Sequence, residues 1–448
     1  MKSLHLTNSW HANSGGIATF YRSLMEAANR RGHSMVLVIP GEKDEVEDVG
    51  ACGRIYRVSS APAPVNRDYR LIRPFSYLRR GTRLRQILQA ERPDLVEICD
   101  KYTLNYFAGM LRTRMMGDLD CHPIVVGLSC ERMDDNVRAY VGWNRLSSGL
   151  VPFYMKWLYF SLFDHHIANS HYTAEELRPA SCGHPIRRGV WIRPMGVDCR
   201  GLSPSHRSPA ARRALCERVR AAEDSALLLY VGRLVPEKNL RLLTETLSEL
   251  HAQSERDWRL IVVGDGIGRD EFLAESECRA PARVVWLGHL RNRSELAQIY
   301  ANCDVFVHPN PREPFGIAPL EAMASGLPLI APDRGGVLSY ANSSNAWIVR
   351  PTPQAFAQAI REAMLDHDLR QGRIANALQT AEQFRWESVA NSFLDLYEDM
   401  VRATDMLESS GKEGTRFPPD FVSTPPVSGR STLARLTASI FQRLLATR

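Results

Sequence analysis

Residues 308–332 read HPNPREPFGIAPLEAMASGLPLIAP. The apolar strand-like run DVFVHP (304–309) leads into a loop rich in proline and glycine, a helix starts near Gly316, and a second apolar run, LPLIAP (327–332), follows. A strand, loop, helix and strand in this order form the unit of a parallel α/β sheet, whose ligands bind at the loops after the strands' carboxyl ends. Glu313 falls in the loop and Glu321 one turn into the helix. Carboxylates accept hydrogen bonds from sugar hydroxyls, while the free N–H groups and dipole of a helix N-terminus attract phosphate. A ligand that is both sugar and phosphate suits that combination. The alternative is an ordinary connection with Glu313 in solvent.

The same rhythm extends to both sides. The second half offers ALLLYVG, WRLIVVG, RVVWLG, DVFVHP, LPLIAP and AWIVR, and the first half SLHLT, SMVLVI, DLVEI, PIVVGLS, HHIAN and GVWIR. Helix-like amphipathic segments separate them, so both halves read as doubly wound, Rossmann-like α/β domains. The pattern breaks at GLSPSHRSPA (201–210), which places the boundary near residue 205, with domains at 1–205 and 206–385. At 448 residues, two domains of roughly 200 residues are also what chain length favours.

Composition narrows the class. Apolar content of 44%, charged content of 24% and a net charge of +6 are ordinary for a soluble globular chain and do not point to nucleic acid. Nine scattered cysteines include no CxxC pair, and several lie in apolar runs such as VEIC, which suggests reduced thiols and a cytoplasmic setting. MKSLHLTNSW lacks the apolar core of a signal peptide. The longest apolar stretch, GLVPFYMKWLYFSLF, is too short to span a bilayer and carries Lys156. Residues 408–431 are rich in Ser, Pro and Gly and read as a disordered linker. In 432–448, Leu433, Leu436, Ile440, Phe441, Leu444 and Leu445 recur at helical spacing beside Arg435, Arg443 and Arg448. Such a basic amphipathic tail suits a membrane interface or docking on the protein itself.

Two further segments carry chemistry. VGRLVPEKN (231–239) follows the strand ALLLY and sets Arg233 and Lys238 at its carboxyl end. Two cations there can clamp a diphosphate, or pair with Glu237. Gly15 and Gly16 follow the first strand and open the first helix, where glycine lets backbone N–H groups approach a phosphate or sugar. Asp265 in VVGDG reads as a turn residue.

These segments, with SHYTAEEL (170–177) and PMGVD (194–198), resemble glycosyltransferase family 4, whose fold is called GT-B. The likeness runs over roughly residues 2–400, and its signature is Glu313 and Glu321 in EPFGIAPLE together with GRLVPEK. It implies two Rossmann-like domains facing a cleft, with helix 386–405 packing back toward the first. The expected activity is retaining, metal-independent transfer of a hexose from a UDP- or GDP-sugar to a lipid-linked, polysaccharide or other cell-envelope acceptor, with no cofactor. The resemblance implies catalytic roles for Glu313, Arg233 and Lys238. Glu313 would contact donor sugar hydroxyls and Glu321 the ribose, Arg233 and Lys238 would neutralise the diphosphate, and the N–H groups of Phe315, Gly316 and Ile317 would touch sugar and phosphate. Gly16, beside Gly15, would approach the diphosphate from the opposite domain. Two D-x-D strings, Asp118 to Asp120 and Asp366 to Asp368, lie away from these motifs, so no metal site is expected.

Relatives often carry a histidine after the fourth strand of the first domain. Here PIVVGLS continues as Cys130-Glu131-Arg132, leaving Cys130 or Glu131 at that position, or the role unfilled. Residues 66–88 hold seven arginines against one aspartate, interleaved with Tyr69, Phe75, Tyr77 and Leu78. That stretch suits an anionic membrane surface at the inner face, a lipid-phosphate acceptor, or simply a solvated helix face. The competing functions are a non-catalytic sugar-nucleotide-binding protein and another GT-B activity, such as an epimerase.

Overall fold

The computed structural model describes residues 1–10, 15–63, 70–116, 119, 121–140, 142, 145–181, 189–253 and 256–409. The expected linker and tail helix lie outside these residues, apart from the linker's first two positions, which helix Trp386–Ser409 takes over.

Two parallel sheets carry the chain. The first is ordered Gly189–Ile192, His165–Ala168, Ile124–Ser129, Leu95–Cys99, Lys2–Thr7, Ser34–Gly41, Gly53–Ser59 and Glu45–Val49, of which only the last is antiparallel to its neighbour. The second runs Val284–Trp286, Trp258–Val263, Ala226–Val231, Val305–Val307, Leu329–Pro332 and Trp347–Val349, parallel throughout. All twelve apolar runs became strands. Four more strands were not anticipated, two of them the short antiparallel pair Ala61–Pro62 and Arg70–Leu71 and two in the first sheet. Glu45–Val49 is a charged edge strand whose Glu47 meets Arg57 of its neighbour at 2.9 Å, so it shows no apolar run to read. Gly53–Ser59 breaks its apolar residues with half-buried Arg54 and Arg57, which pair with Asp48 and Glu47 of that edge strand.

Strand order decides where ligands go. In the first sheet it reverses around Lys2–Thr7, which is flanked by Ser34–Gly41 and Leu95–Cys99. In the second it reverses between Ala226–Val231 and Val305–Val307. Crevices open at the carboxyl ends of strands at such points. Gly15 and Gly16, the 232–238 loop and the 308–316 loop all stand there.

Helix Gly16–Arg31 buries Phe20, Tyr21, Leu24, Ala27 and Ala28 at intervals of three and four, and stops at Gly32, which is left-handed at φ +69°. Its outer face meets helix Trp386–Ser409. Phe20 packs on Phe393 at 4.9 Å, and Arg31 reaches Asp395 at 2.7 Å and Glu398 at 2.5 Å. Below them Glu97, wholly buried in its strand, accepts hydrogen bonds from Tyr21 at 2.9 Å and from Tyr397. The final helix is thus bonded into the first sheet. Val197 bridges to Arg385, so the outgoing and returning chains lie side by side.

Candidate active site

The 308–316 loop is held from several sides. The His308 N–H donates to Ile330 O at 2.9 Å, Asn239 Nδ2 to Pro309 O at 3.0 Å, and the Gly336 N–H to Glu313 O at 2.6 Å. From the first half, Ser170 Oγ donates to Pro314 O at 2.5 Å. Gly335 and Gly336 make room for the loop, since a Cβ on Gly336 would sit 1.9 Å from Pro314 O. The loop ends at Gly316, whose φ of +87° favours glycine, and helix Ile317–Ala324 begins. Its Pro319 falls in the first turn, where a missing N–H costs nothing.

Within this frame Glu313 receives Lys238 Nζ at 2.7 and 3.0 Å and Asn310 Nδ2 at 3.1 Å. Burial raises the Glu313 carboxyl, but the Lys238 ammonium, His308 and these hydrogen bonds outweigh it and lower the net value to about 2. It is an anion at neutral pH. Buried His308 is pushed down to about 4 by burial and by Lys238 against the pull of Glu313, so it is a neutral imidazole, and its Nε2 finds no hydrogen-bond partner among the described residues. The N–H groups of Phe315, Gly316 and Ile317 find no acceptor among the described residues. The Phe315 ring packs away from the loop, against Tyr340 at 5.2 Å.

The two halves meet over this loop. A Cβ on Gly16 would stand 2.6 Å from Ile317 Cδ1, so the N-termini of the Gly16–Arg31 and Ile317–Ala324 helices face each other. Gly15, the N-cap, has open space around it. Two opposed helix N-termini concentrate positive potential in one gap.

Arg233 and Lys238 differ. Lys238 is half-buried against Glu313, whereas Arg233 is exposed and its Nη2 meets Glu237 at 3.2 Å, the pairing open from the sequence. Glu237 also accepts from Tyr140 of the first half at 2.6 Å. Glu321 accepts from Arg293 at 3.2 Å and Tyr300 at 2.9 Å; burial raises its carboxyl against those partners. Asp265 lies in the loop after strand Trp258–Val263, where its carboxylate accepts from the Gly266 N–H at 2.8 Å. Asp366 caps helix His367–Gln383, while Asp118 and Asp120 lie outside the described residues. No group of three or more metal-ligating side chains occurs among the described residues.

On the first-half side, neighbouring Cys130 and burial push the Cys99 thiol up. Glu131 accepts from Asn136 at 2.9 Å, and burial raises its carboxyl. Lys101, nearly fully buried, donates to Glu131 O and to Glu176, each at 2.5 Å. Lys101 and Glu176 escaped the sequence reading because nothing local pairs residues 75 positions apart. Asn310, Gly335 and Gly336 escaped it too, although a Gly-Gly pair after LIAP repeats the signal that drew attention to Gly15 and Gly16.

Two doubly wound domains closing on a loop with a half-buried carboxylate, a cation and free helix N–H groups define a GT-B glycosyltransferase. Residues 14–199 match the family described as Glycosyltransferase Family 4, and residues 212–380 match Glycosyl transferases group 1. The chain belongs to glycosyltransferase family 4 and is a glycosyltransferase enzyme. It is 25% identical over 416 residues to the GDP-mannose-dependent alpha-(1-6)-phosphatidylinositol dimannoside mannosyltransferase of Mycobacterium tuberculosis, covering 90% of this chain and 98% of that one. A GDP-mannose-dependent alpha-mannosyltransferase of the same species is 28% identical, over 86% of this chain and 92% of its own. Among solved structures, sucrose-phosphate synthase from Thermosynechococcus elongatus shares the fold at a TM-score of 0.68 and 19% identity, covering 90% of this chain and all of that one.

Proposed function

We propose that the chain transfers a hexose, mannose foremost, from a nucleoside-diphosphate sugar to a lipid-linked glycan or another cell-envelope acceptor. Transfer retains the anomeric configuration and uses neither a metal nor a resident cofactor. The carrying observation is the Glu313–Lys238 pair beside three free N–H groups, opposite the Gly16 helix. When the bond from the anomeric carbon to the diphosphate breaks, negative charge grows on the leaving group. Lys238, the facing helix ends and, after release from Glu237, Arg233 offer fixed positive potential there. Ionised Glu313 accepts from donor hydroxyls. Glu321 takes the ribose in exchange for its contact with half-exposed Arg293.

GDP-mannose is favoured as donor because two relatives covering most of the chain are named for it, and the lipid acceptor rests on the phosphatidylinositol dimannoside in one of those names. No helix among the described residues is long and apolar enough to cross a membrane, which suits a cytoplasmic enzyme bound peripherally at the inner face. The test is turnover of GDP-mannose and UDP-glucose by wild type, Glu313→Gln and Lys238→Ala, with the product anomer read by NMR and chelator added. Unchanged turnover in both variants would overturn the site. An inverted anomer would overturn retention, and loss with chelator would overturn metal independence.

A further inference from the structure

The most apolar stretch of the first half forms helix Arg145–Phe153, a π-helical run Tyr154–Tyr159 and a short turn Phe160–Leu162. One side is core. Met155, Tyr159 and Phe160 are buried, and Phe160 stacks on His166 at 4.4 Å. The other side carries Leu150, Phe153, Trp157 and Leu158, all exposed, with Phe153 at 57% and Trp157 at 49%. A helix apolar all round needs cover on both faces, and here one of them meets solvent.

The exposed apolar surface continues onto neighbouring elements. Helix Asn105–Arg112 lies alongside, with Asn105 Nδ2 on the Tyr154 hydroxyl at 2.7 Å, and it exposes Tyr106. Beyond it, Tyr77 packs on Phe107 at 5.1 Å and brings in the short helix Phe75–Leu78, with Phe75 76% exposed and Leu78 outward. Val46, Ile267 and Leu365 are also exposed but lie elsewhere, far along the chain from residues 145–162.

The acids nearest this face are already bonded, Asp164 to Arg112 at 3.0 Å and Asp100 to the N–H groups of Tyr102, Thr103 and Leu104, and three cations remain. Lys156 sits 5.3 Å from the Trp157 ring, and exposed Arg79 and Arg80 follow Leu78. None of these three meets a carboxylate among the described residues. The arginine-rich stretch is otherwise occupied: Arg85 is buried on Tyr77 O at 2.9 Å, Arg70 pairs with Glu42 at 3.0 Å, and Arg83 lies over Tyr56.

We propose that this face seats the first half on an anionic lipid bilayer. Phe75, Leu150, Phe153, Trp157 and Leu158 enter the headgroup region while Lys156, Arg79 and Arg80 meet lipid phosphates. A second copy of the chain suits the face less well, because a two-fold contact would set the same cations against each other. A bilayer supplies both the apolar layer and the opposite charge. The assignment is independent of which sugar is transferred.

The experiment is sedimentation of the full-length chain, without sugar nucleotide, on vesicles of phosphatidylcholine alone and on vesicles with phosphatidylglycerol as about a third of the lipid. Wild type partitions onto the anionic vesicles. Phe153→Ser with Trp157→Ser lowers that partition about tenfold or more, and Arg79→Ala and Arg80→Ala lower it roughly fivefold each. Hydrogen exchange of wild type with and without vesicles gives protection over 145–162, a readout that stands even if the double variant fails to fold. Undiminished partition of the folded variants, or no protection there, overturns the proposal and moves any lipid contact to the tail. So does a lipid-free wild-type dimer that the double variant dissociates.

Discussion

Two lysine–carboxylate pairs, one in each half, show how similar contacts serve different ends. Lys101 meets Glu176 at 2.5 Å with side chains 1% and 5% exposed, and Lys238 meets Glu313 at 2.7 Å with side chains 15% and 13% exposed. Glu176 spends its other oxygen on the N–H groups of Met133 and Asp134, at 2.7 and 3.1 Å, fastening helix Met133–Tyr140 to helix His171–Ser181. That carboxylate is fixed in the fold by backbone donors and by burial. Among the described residues the Glu313 carboxylate is held by side chains, Lys238 and Asn310, which can turn away to a ligand. The first pair is sealed into the fold, and the second is open to exchange.

The largest expected effect tests the sealed pair. Lys101→Met strands Glu176 and should cost about 3–5 kcal/mol of stability in urea unfolding. Lys238→Met should cost less than half of that, because Glu313 can take up water at its exposed edge, while turnover falls about 10²–10³-fold. Equal stability losses would erase the contrast. Gly336→Ala drives a Cβ into Pro314 O and displaces the loop that holds Glu313. We expect turnover to fall about 10²-fold with the global unfolding midpoint nearly kept; unchanged turnover would show that the loop tolerates movement.

Acid sharpens the comparison further. The folded-state value of Glu313, about 2, lies below its ordinary 4.5, so its ionised form stabilises the fold fully above pH 4.5, and that stability drains away as pH falls toward 2. The stability gap between wild type and Lys238→Met should therefore close over that window when melting is followed against pH. The smallest effect is expected at Arg233, exposed and paired with Glu237. Arg233→Ala should leave melting within about 1 kcal/mol of wild type and lower turnover about tenfold, less than Lys238→Met does.

The apolar runs made the parallel strands legible, because strands buried on both faces must be apolar along their whole length. Glu45–Val49 was invisible because an edge strand carries charge. The strand-end loops announced Glu313, Lys238 and Gly16 through glycine, proline and charge. Arg233 and Lys238 looked equivalent in GRLVPEK, and the Glu237 carboxylate and Tyr140 hydroxyl separate them. The run of seven arginines looked like one cationic face, yet Arg85 is buried in carbonyl contacts and Arg70 is paired.

By itself, then, the sequence determined the two doubly wound halves, the loops that carry chemistry and the family, because periodicity and turn residues are local properties. Tertiary structure alone decided that the Gly16 and Ile317 helix ends face each other and that Ser170 holds the Pro314 carbonyl. It also decided that Lys101 is sealed while Lys238 stays open, and that one flank of the 145–162 segment remains outside the core. Each of these depends on surfaces brought together from distant parts of the chain, where burial sets the strength of a charge and neither partner marks the other in sequence.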